Sequence, residues 1–142
     1  MRLTLAFLIF LTGATSARAQ PAPTADAATP YSRGVEAEHA GRHDQAIADL
    51  TKAIAAKPDF AEAYESRAVA EDQKGHYDRA IADYTRAIAL GLTTAETYFN
   101  RGAAYEHHRF YQKALADYRA AAALDPALQS AKDRVRRLSA GR

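Results

Sequence analysis

Apolar side chains recur three and four positions apart over most of the chain beyond residue 30, the spacing of one buried face on an α-helix. Three such faces are nearly the same. Ala46, Ile47, Leu50, Ala53 and Ile54 form the first, Ala80, Ile81, Tyr84, Ala87 and Ile88 the second, and Ala114, Leu115, Tyr118, Ala121 and Ala122 the third. Each begins 34 residues after the one before. The polar positions keep the same period, so residues 61–94 superpose on 95–128 and on 27–60 without a gap, with Arg67 over Arg101 and Tyr77 over Tyr111. A fixed period of this length marks stacked supersecondary units in place of one globular core.

Each unit carries two helical patterns, an A helix and a B helix. Gly41 and Gly75 divide them, because glycine takes the left-handed conformation that ends a helix cheaply. Asp59 and Glu62 predict a capping box at the second A helix, which then runs to about Lys74. Its B helix is predicted over residues 77–90, stopped by Gly91. Thr93 and Glu96 predict the start of the third A helix, and Thr29-Pro30 and Asp125-Pro126 two further starts with proline at the first helical position. The small Ala80 and Ala114 fall where an A and a B helix approach closely, and Tyr84 and Tyr118 fill the wider gap beyond. After the third unit, Leu128, Ala131, Val135 and Leu138 keep helical spacing and predict a capping helix over about residues 126–139, with Lys132, Arg134, Arg136 and Arg137 mostly solvated.

Two charges repeat in register: Arg33, Arg67 and Arg101, and Asp49, Asp83 and Asp117. Partly buried arginine is rarely left alone. A ladder of ion pairs is therefore expected between A and B helices, within a repeat or to the next one, with a structural role.

The pattern resembles the tetratricopeptide repeat. That motif has an aromatic residue at position 4 (Tyr64, Tyr98), a small residue at 8 (Gly34, Ala68, Gly102) and glycine at 15, where Arg109 departs. It has an aromatic at 17 (Tyr77, Tyr111), alanine at 20 (Ala46, Ala80, Ala114), a large residue at 24 (Leu50, Tyr84, Tyr118), alanine at 27 (Ala53, Ala87, Ala121) and proline at 32, where Leu92 departs. The resemblance covers residues 27–128 and implies an all-α fold, a right-handed α-solenoid of three helix-turn-helix units (27–60, 61–94 and 95–128) plus the C-terminal capping helix, with the repeat domain spanning 30–140.

The resemblance further implies that A helices line a concave groove. The groove residues would include Tyr31 and Glu38 from the first repeat, Glu62, Glu65, Val69 and Asp72 from the second, and Glu96, Phe99, Asn100 and Glu106 from the third. That groove is acidic over a small apolar floor. It lacks the Lys, Arg and Asn set with which some members of this family clamp a C-terminal carboxylate, Asn100 alone excepted. A basic or amphipathic segment of another protein is the expected occupant, with Tyr31, Val69 and Phe99 as anchors and the carboxylates steering its approach.

Composition changes this picture at the N-terminus. Residues 1–19 (MRLTLAFLIFLTGATSARA) run from one arginine through nine apolar-run positions to Ala17-Arg18-Ala19, the pattern of a cleaved export signal. That apolar run is too short for a membrane span, which takes about 20 residues. Residues 20–29, rich in Pro and Ala, read as a disordered linker. Arg2 and Arg18 lie in the signal, leaving 17 of the 19 basic residues against 17 acidic ones. A neutral mature chain offers nothing to attract nucleic acid or a membrane. The destination is read as the periplasm if the source is bacterial, secretion being the alternative.

Candidate chemistry is sparse. There is no cysteine, so no disulfide or thiolate site. His39 and His43 are four apart and His107 and His108 adjacent, without the His-Glu-x-x-His of a zinc helix. No phosphate loop or nucleophile elbow occurs, and neither enzyme activity nor a cofactor or metal is expected. The leading reading is an exported, non-catalytic adaptor. The alternative is a structural subunit of an envelope assembly that binds through its convex face or cap helix. The alanine register itself is testable: Ala80→Leu should destabilise the array by about 1–3 kcal/mol through overpacking, read as a lower Tm.

Overall fold

The computed structural model describes residues 26–141. The export signal and most of the linker lie outside the described residues. Seven helices follow one another within them: α1 (Ala28–His39), α2 (His43–Ala56), α3 (Ala61–Gln73), α4 (Tyr77–Ala89), α5 (Ala95–His107), α6 (Tyr111–Leu124) and α7 (Gln129–Ala140). No strand occurs among the described residues. The arrangement is an α-solenoid of three helix pairs closed by a seventh helix.

Helices of 12 to 14 residues are marginal alone in water, so packing must hold them. Each helix packs on its neighbours in the chain, and the A helices α1, α3 and α5 also touch one another. No pair of B helices packs comparably among the described residues, so the A layer is the shorter, concave arc.

Twelve of the sixteen buried hydrophobic residues are alanine. Ala46, Ala80 and Ala114 are fully buried. The larger Leu50, Tyr84 and Tyr118 sit opposite Gly34, Ala68 and Gly102 of the partner helix, and the approach is close. A Cβ on Gly34 would stand 2.6 Å from Leu50 Cγ, and one on Gly102 would stand 3.0 Å from the Tyr118 ring. This is the alternation of small and large residues that lets two helix backbones approach.

The helix ends correct several expectations. α3 is not capped by Asp59 and Glu62: its N-cap is Phe60, and no side chain caps it. The cap of α5 is Thr94, one residue beyond Thr93, and its hydroxyl accepts from Thr97 N at 3.1 Å. α1 begins at Ala28, inside the segment read as linker, because the Asp26 carboxylate accepts from the Ala28 and Thr29 amides. Pro30 thus stands third in that helix, still within the first turn where no intrahelical donor is needed. Asp125-Pro126 does not open α7, which starts at Gln129; the Asp125 carboxylate instead accepts from Ala127 N at 2.9 Å and turns the chain.

What the starts lack, the stops supply. Gly41, Gly75, Gly91 and Arg109 all have positive φ. At each, two amides reach back to the last turn: Gly75 N to Asp72 O (2.8 Å) with His76 N to Glu71 O (2.9 Å), and Arg109 N to Glu106 O (2.9 Å) with Phe110 N to Tyr105 O (2.8 Å). These are Schellman closures. The third repeat keeps the closure although Arg109 has a Cβ, at φ 64°.

The Arg–Asp ladder runs within each repeat. Arg67 grips Asp83 with two hydrogen bonds (Nε to Oδ2, 2.7 Å; Nη2 to Oδ1, 2.8 Å), and Arg101 grips Asp117 with the same pair of distances. The aspartate carboxylates raise both guanidinium pKa values. The third donor of each arginine reaches back one repeat, Arg67 Nη1 to Thr51 Oγ1 (3.0 Å) and Arg101 Nη1 to Thr85 Oγ1 (3.2 Å). One side chain thereby ties an A helix to its own B helix and to the preceding one. Arg33, first in the array, has no preceding helix to pack against. Its side chain is 53% exposed and makes one bond to Asp49 (3.3 Å).

Two measurements check this scaffold. A double-mutant cycle on Arg67 and Asp83 should give a coupling above the ~0.2–1 kcal/mol of exposed pairs, and one on Arg67 and Asp49 should give none. Arg109→Gly should raise stability by up to about 1 kcal/mol in chemical denaturation, because it removes a left-handed residue with a Cβ.

Candidate partner-binding groove

The concave face is built by the A helices and floored by side chains from the B helices behind them. α1 contributes Tyr31 and Glu38. The Tyr31 ring is half-buried against Phe60, centroid to centroid 4.5 Å, and Glu38 lies 3.7 Å from His39 Nε2. α5 contributes Glu96, which is exposed, and Phe99, half-buried against Tyr118 at 5.3 Å. Both aromatic anchors therefore show one face to the groove and give the other to the core.

α3 carries the middle of the surface. Glu62 is exposed. Glu65 accepts from Thr97 Oγ1 at 2.5 Å, and burial raises its pKa despite that bond, with Glu96 and Glu62 adding to the rise. Thr97 is fully buried and also meets Thr94, so the bond joins the groove wall to the α5 cap. Val69 packs on the core cluster of Ala68, Ala80, Tyr84 and Ala104. Burial also raises the pKa of Asp72, against the pull of His107, whose Nδ1 stands 3.6 Å from Oδ1. That oxygen is buried and makes no hydrogen bond.

Val69, Asp72 and Asn100 come together with Gln73, Ala103 and Tyr84 around a cavity of about 80 Å³. Tyr84 is the floor. Burial raises the pKa of its phenol, and the carboxylates of Asp72, Glu65, Glu38 and Glu96 raise it further. Acids from α1, α3 and α5 thus converge on one point. No lysine or arginine pairs with any of these four acids among the described residues.

Glu106 stands apart. It accepts from Tyr118 Oη at 2.8 Å and from Arg134 Nη1 at 3.0 Å, and it pairs with Arg137 as well. The expectation of mostly solvated cap-helix arginines is corrected here: Arg134 and Arg137 are held to Glu106, while Arg136 pairs with Asp133 on α7 itself. The charge of Glu106 is consequently met within the chain. The repeat register carried the signal for this, since Arg134 and Arg137 stand 34 residues after Asn100 and Ala103.

Sequence reasoning also missed Glu71. It occupies a position where a large apolar residue is usual, and it is buried with His76 Nδ1 at 2.6 Å and Arg79 Nη1 at 3.8 Å. This cluster lies behind the groove and fixes the α3–α4 turn. Among the described residues no three His, Asp or Glu side chains gather as a metal site, and no helix is long and apolar enough to cross a membrane.

Comparison with known proteins agrees with this architecture. Two family models, each described as tetratricopeptide repeat, match residues 31–91 and 95–128. No curated protein matches the chain. Among solved structures, the Arabidopsis OM64 TPR domain is 28% identical with a TM-score of 0.76, covering 79% of this chain and 93% of that one. The first TPR of Spaghetti (RPAP3), bound to the HSP90 peptide SRMEEVD, is 26% identical with a TM-score of 0.78, covering 84% and 98%. The second TPR domain of human RPAP3, in complex with the HSP70 peptide SGPTIEEVD, is 26% identical with a TM-score of 0.74, covering 80% and 94%. With its 34-residue period, its paired helices and its small-to-large contacts all in register, the chain belongs to the tetratricopeptide repeat family.

Proposed function

We propose that the protein is a non-catalytic interaction module that holds a basic or amphipathic segment of a partner protein in its concave groove. Support for a peptide-binding role comes from the RPAP3 domains, which were solved with bound peptides. Support for the sign of the ligand comes from this chain alone. Both of those peptides end in EEVD, a carboxylate-rich tail. Here the acids Glu38, Glu65, Asp72 and Glu96 surround Tyr84 with no lysine or arginine paired to them, and that observation carries the proposal. An acidic tail would meet repulsion in such a groove, whereas a cationic segment would be steered toward it.

Tyr31, Val69 and Phe99 supply apolar contact, and Glu62, Glu96 and Asn100 a polar rim. Glu106 contributes less than its position suggests, being already paired with α7. Export, followed by action in the periplasm of a bacterial source, completes the proposal; it rests on residues 1–19 and predicts a purified mature chain that starts at Gln20.

The experiment is site-specific photo-crosslinking in cells, with the probe at Glu62 or Phe99 and, in parallel, at Arg136 on α7. Capture from the groove positions is expected. The isolated complex should weaken about tenfold when ionic strength rises from about 0.05 to about 0.5 M, because the steering charges are exposed. Capture from α7 alone would favour the structural-subunit reading, and salt-insensitive binding would remove the electrostatic part.

A further inference from the structure

The last repeat contains a worked copy of a site that the middle repeat leaves open to a partner. Glu106 lies 34 residues after Asp72, and Tyr118 lies 34 after Tyr84. In the last repeat the phenol donates to the carboxylate and two arginines of α7 hold both carboxylate oxygens, Arg134 on Oε2 and Arg137 on Oε1. Those arginines take the register places of Asn100 and Ala103. In the middle repeat the same carboxylate and phenol places are kept, but the residues facing them are short. The cavity of about 80 Å³ lies there.

Two polar atoms at this cavity lack partners. Asp72 Oδ1 is buried without a hydrogen bond. Tyr84 is 2% exposed, lines the cavity, and its hydroxyl makes no hydrogen bond. Leaving buried polar groups unpaired is unfavourable, so a site that keeps two of them side by side is built for a ligand that pairs both. The first repeat cannot repeat the site, because Leu50 stands where the phenol would be. The volume also limits the occupant. Small-molecule pockets run to about 300–1,000 Å³, so this cavity suits the head of one side chain.

Resting on the groove reading above, we propose that the cavity between α3 and α5 is a guanidinium site. It takes one arginine side chain of the partner segment, with Asp72 as its carboxylate and the Tyr84 hydroxyl as its second polar contact. Arginine suits it better than lysine: the planar fork reaches two acceptors at once and lies flat against an aromatic ring. The nearby carboxylates of Glu38, Glu65 and Glu96 add to the attraction. His107, half-exposed and beyond hydrogen-bond length from Asp72, is the one cationic competitor and is free to turn outward.

The test is an amide-detected NMR titration of the whole soluble chain with Nα-acetyl-arginine amide, its lysine analogue and its uncharged citrulline analogue. The arginine probe should give saturable shifts at Val69, Asn100 and Ala103, the lysine probe should bind about fivefold more weakly, and the citrulline probe should give none. Asp72→Asn should weaken arginine binding by about tenfold or more, and Tyr84→Phe, which keeps the ring, by a smaller factor. Asn100→Arg transplants the arrangement of Arg134; it should abolish probe binding and raise Tm by roughly 3 °C. Equal shifts with citrulline, unchanged binding by Asp72→Asn, or Asn100→Arg that leaves the probe site open or lowers Tm would each overturn the proposal. If the arginine probe fails while groove crosslinking stays salt-sensitive, the guanidinium site alone falls. If crosslinks come from α7 alone, the groove reading falls with it.

Discussion

The close contact between an A helix and its B helix, made at one small and one large residue, is the constraint on which the rest depends. Gly34 against Leu50, Ala68 near Tyr84 and Gly102 against Tyr118 bring the backbones together, and fully buried alanines fill the remaining interface. With so little volume per side chain, burial depends on how near the helices come. The same large residue also reaches past the core. The rings of Tyr84 and Tyr118 fill the interhelical gap, and their hydroxyls arrive on the other side, at the floor of the groove or in the Glu106 cluster. Fold and surface chemistry meet in one side chain.

Polar groups set how the pairs stack. Arg67 and Arg101 each spend two donors inside a repeat and one on the repeat before. Their stems pack among aromatic rings, Arg67 lying 5.6 Å from the Tyr64 centroid and Arg101 5.6 Å from Tyr98. Buried ion pairs are weak evidence of net stability, because desolvation offsets much of the attraction. Their geometric demand is what matters here: a planar fork fixes the angle between two helices more narrowly than apolar contact does. Arg33 shows the converse, since at the start of the array it has one short-range partner and stays exposed.

Charge along the groove is uneven for a reason that lies in the end of the solenoid. A last repeat must cover its open face, and α7 does so with Ala131 buried and Leu128, Val135 and Leu138 half-buried. The same helix brings two arginines onto Glu106. The acid that would extend the groove is thereby neutralised, and the negative field concentrates around Tyr84 in the middle repeat.

The amino-acid pattern determined the seven helices, the 34-residue period, the small-to-large contacts and the pairing of Arg with Asp, since each follows from spacing along a helix and local chain chemistry. It misplaced several helix starts, because Asp59, Thr93 and Pro126 look like caps locally while packing at the repeat junctions sets where each helix begins. It named the groove acids but could not tell the open from the occupied. Asp72 and Glu106 hold the same register position and differ only in what the next A helix sets against them, Asn100 and Ala103 in one case and Arg134 and Arg137 in the other. That distinction depends on a helix approaching from the neighbouring unit, at a distance in sequence but within hydrogen-bond reach in space, and tertiary structure alone decides it.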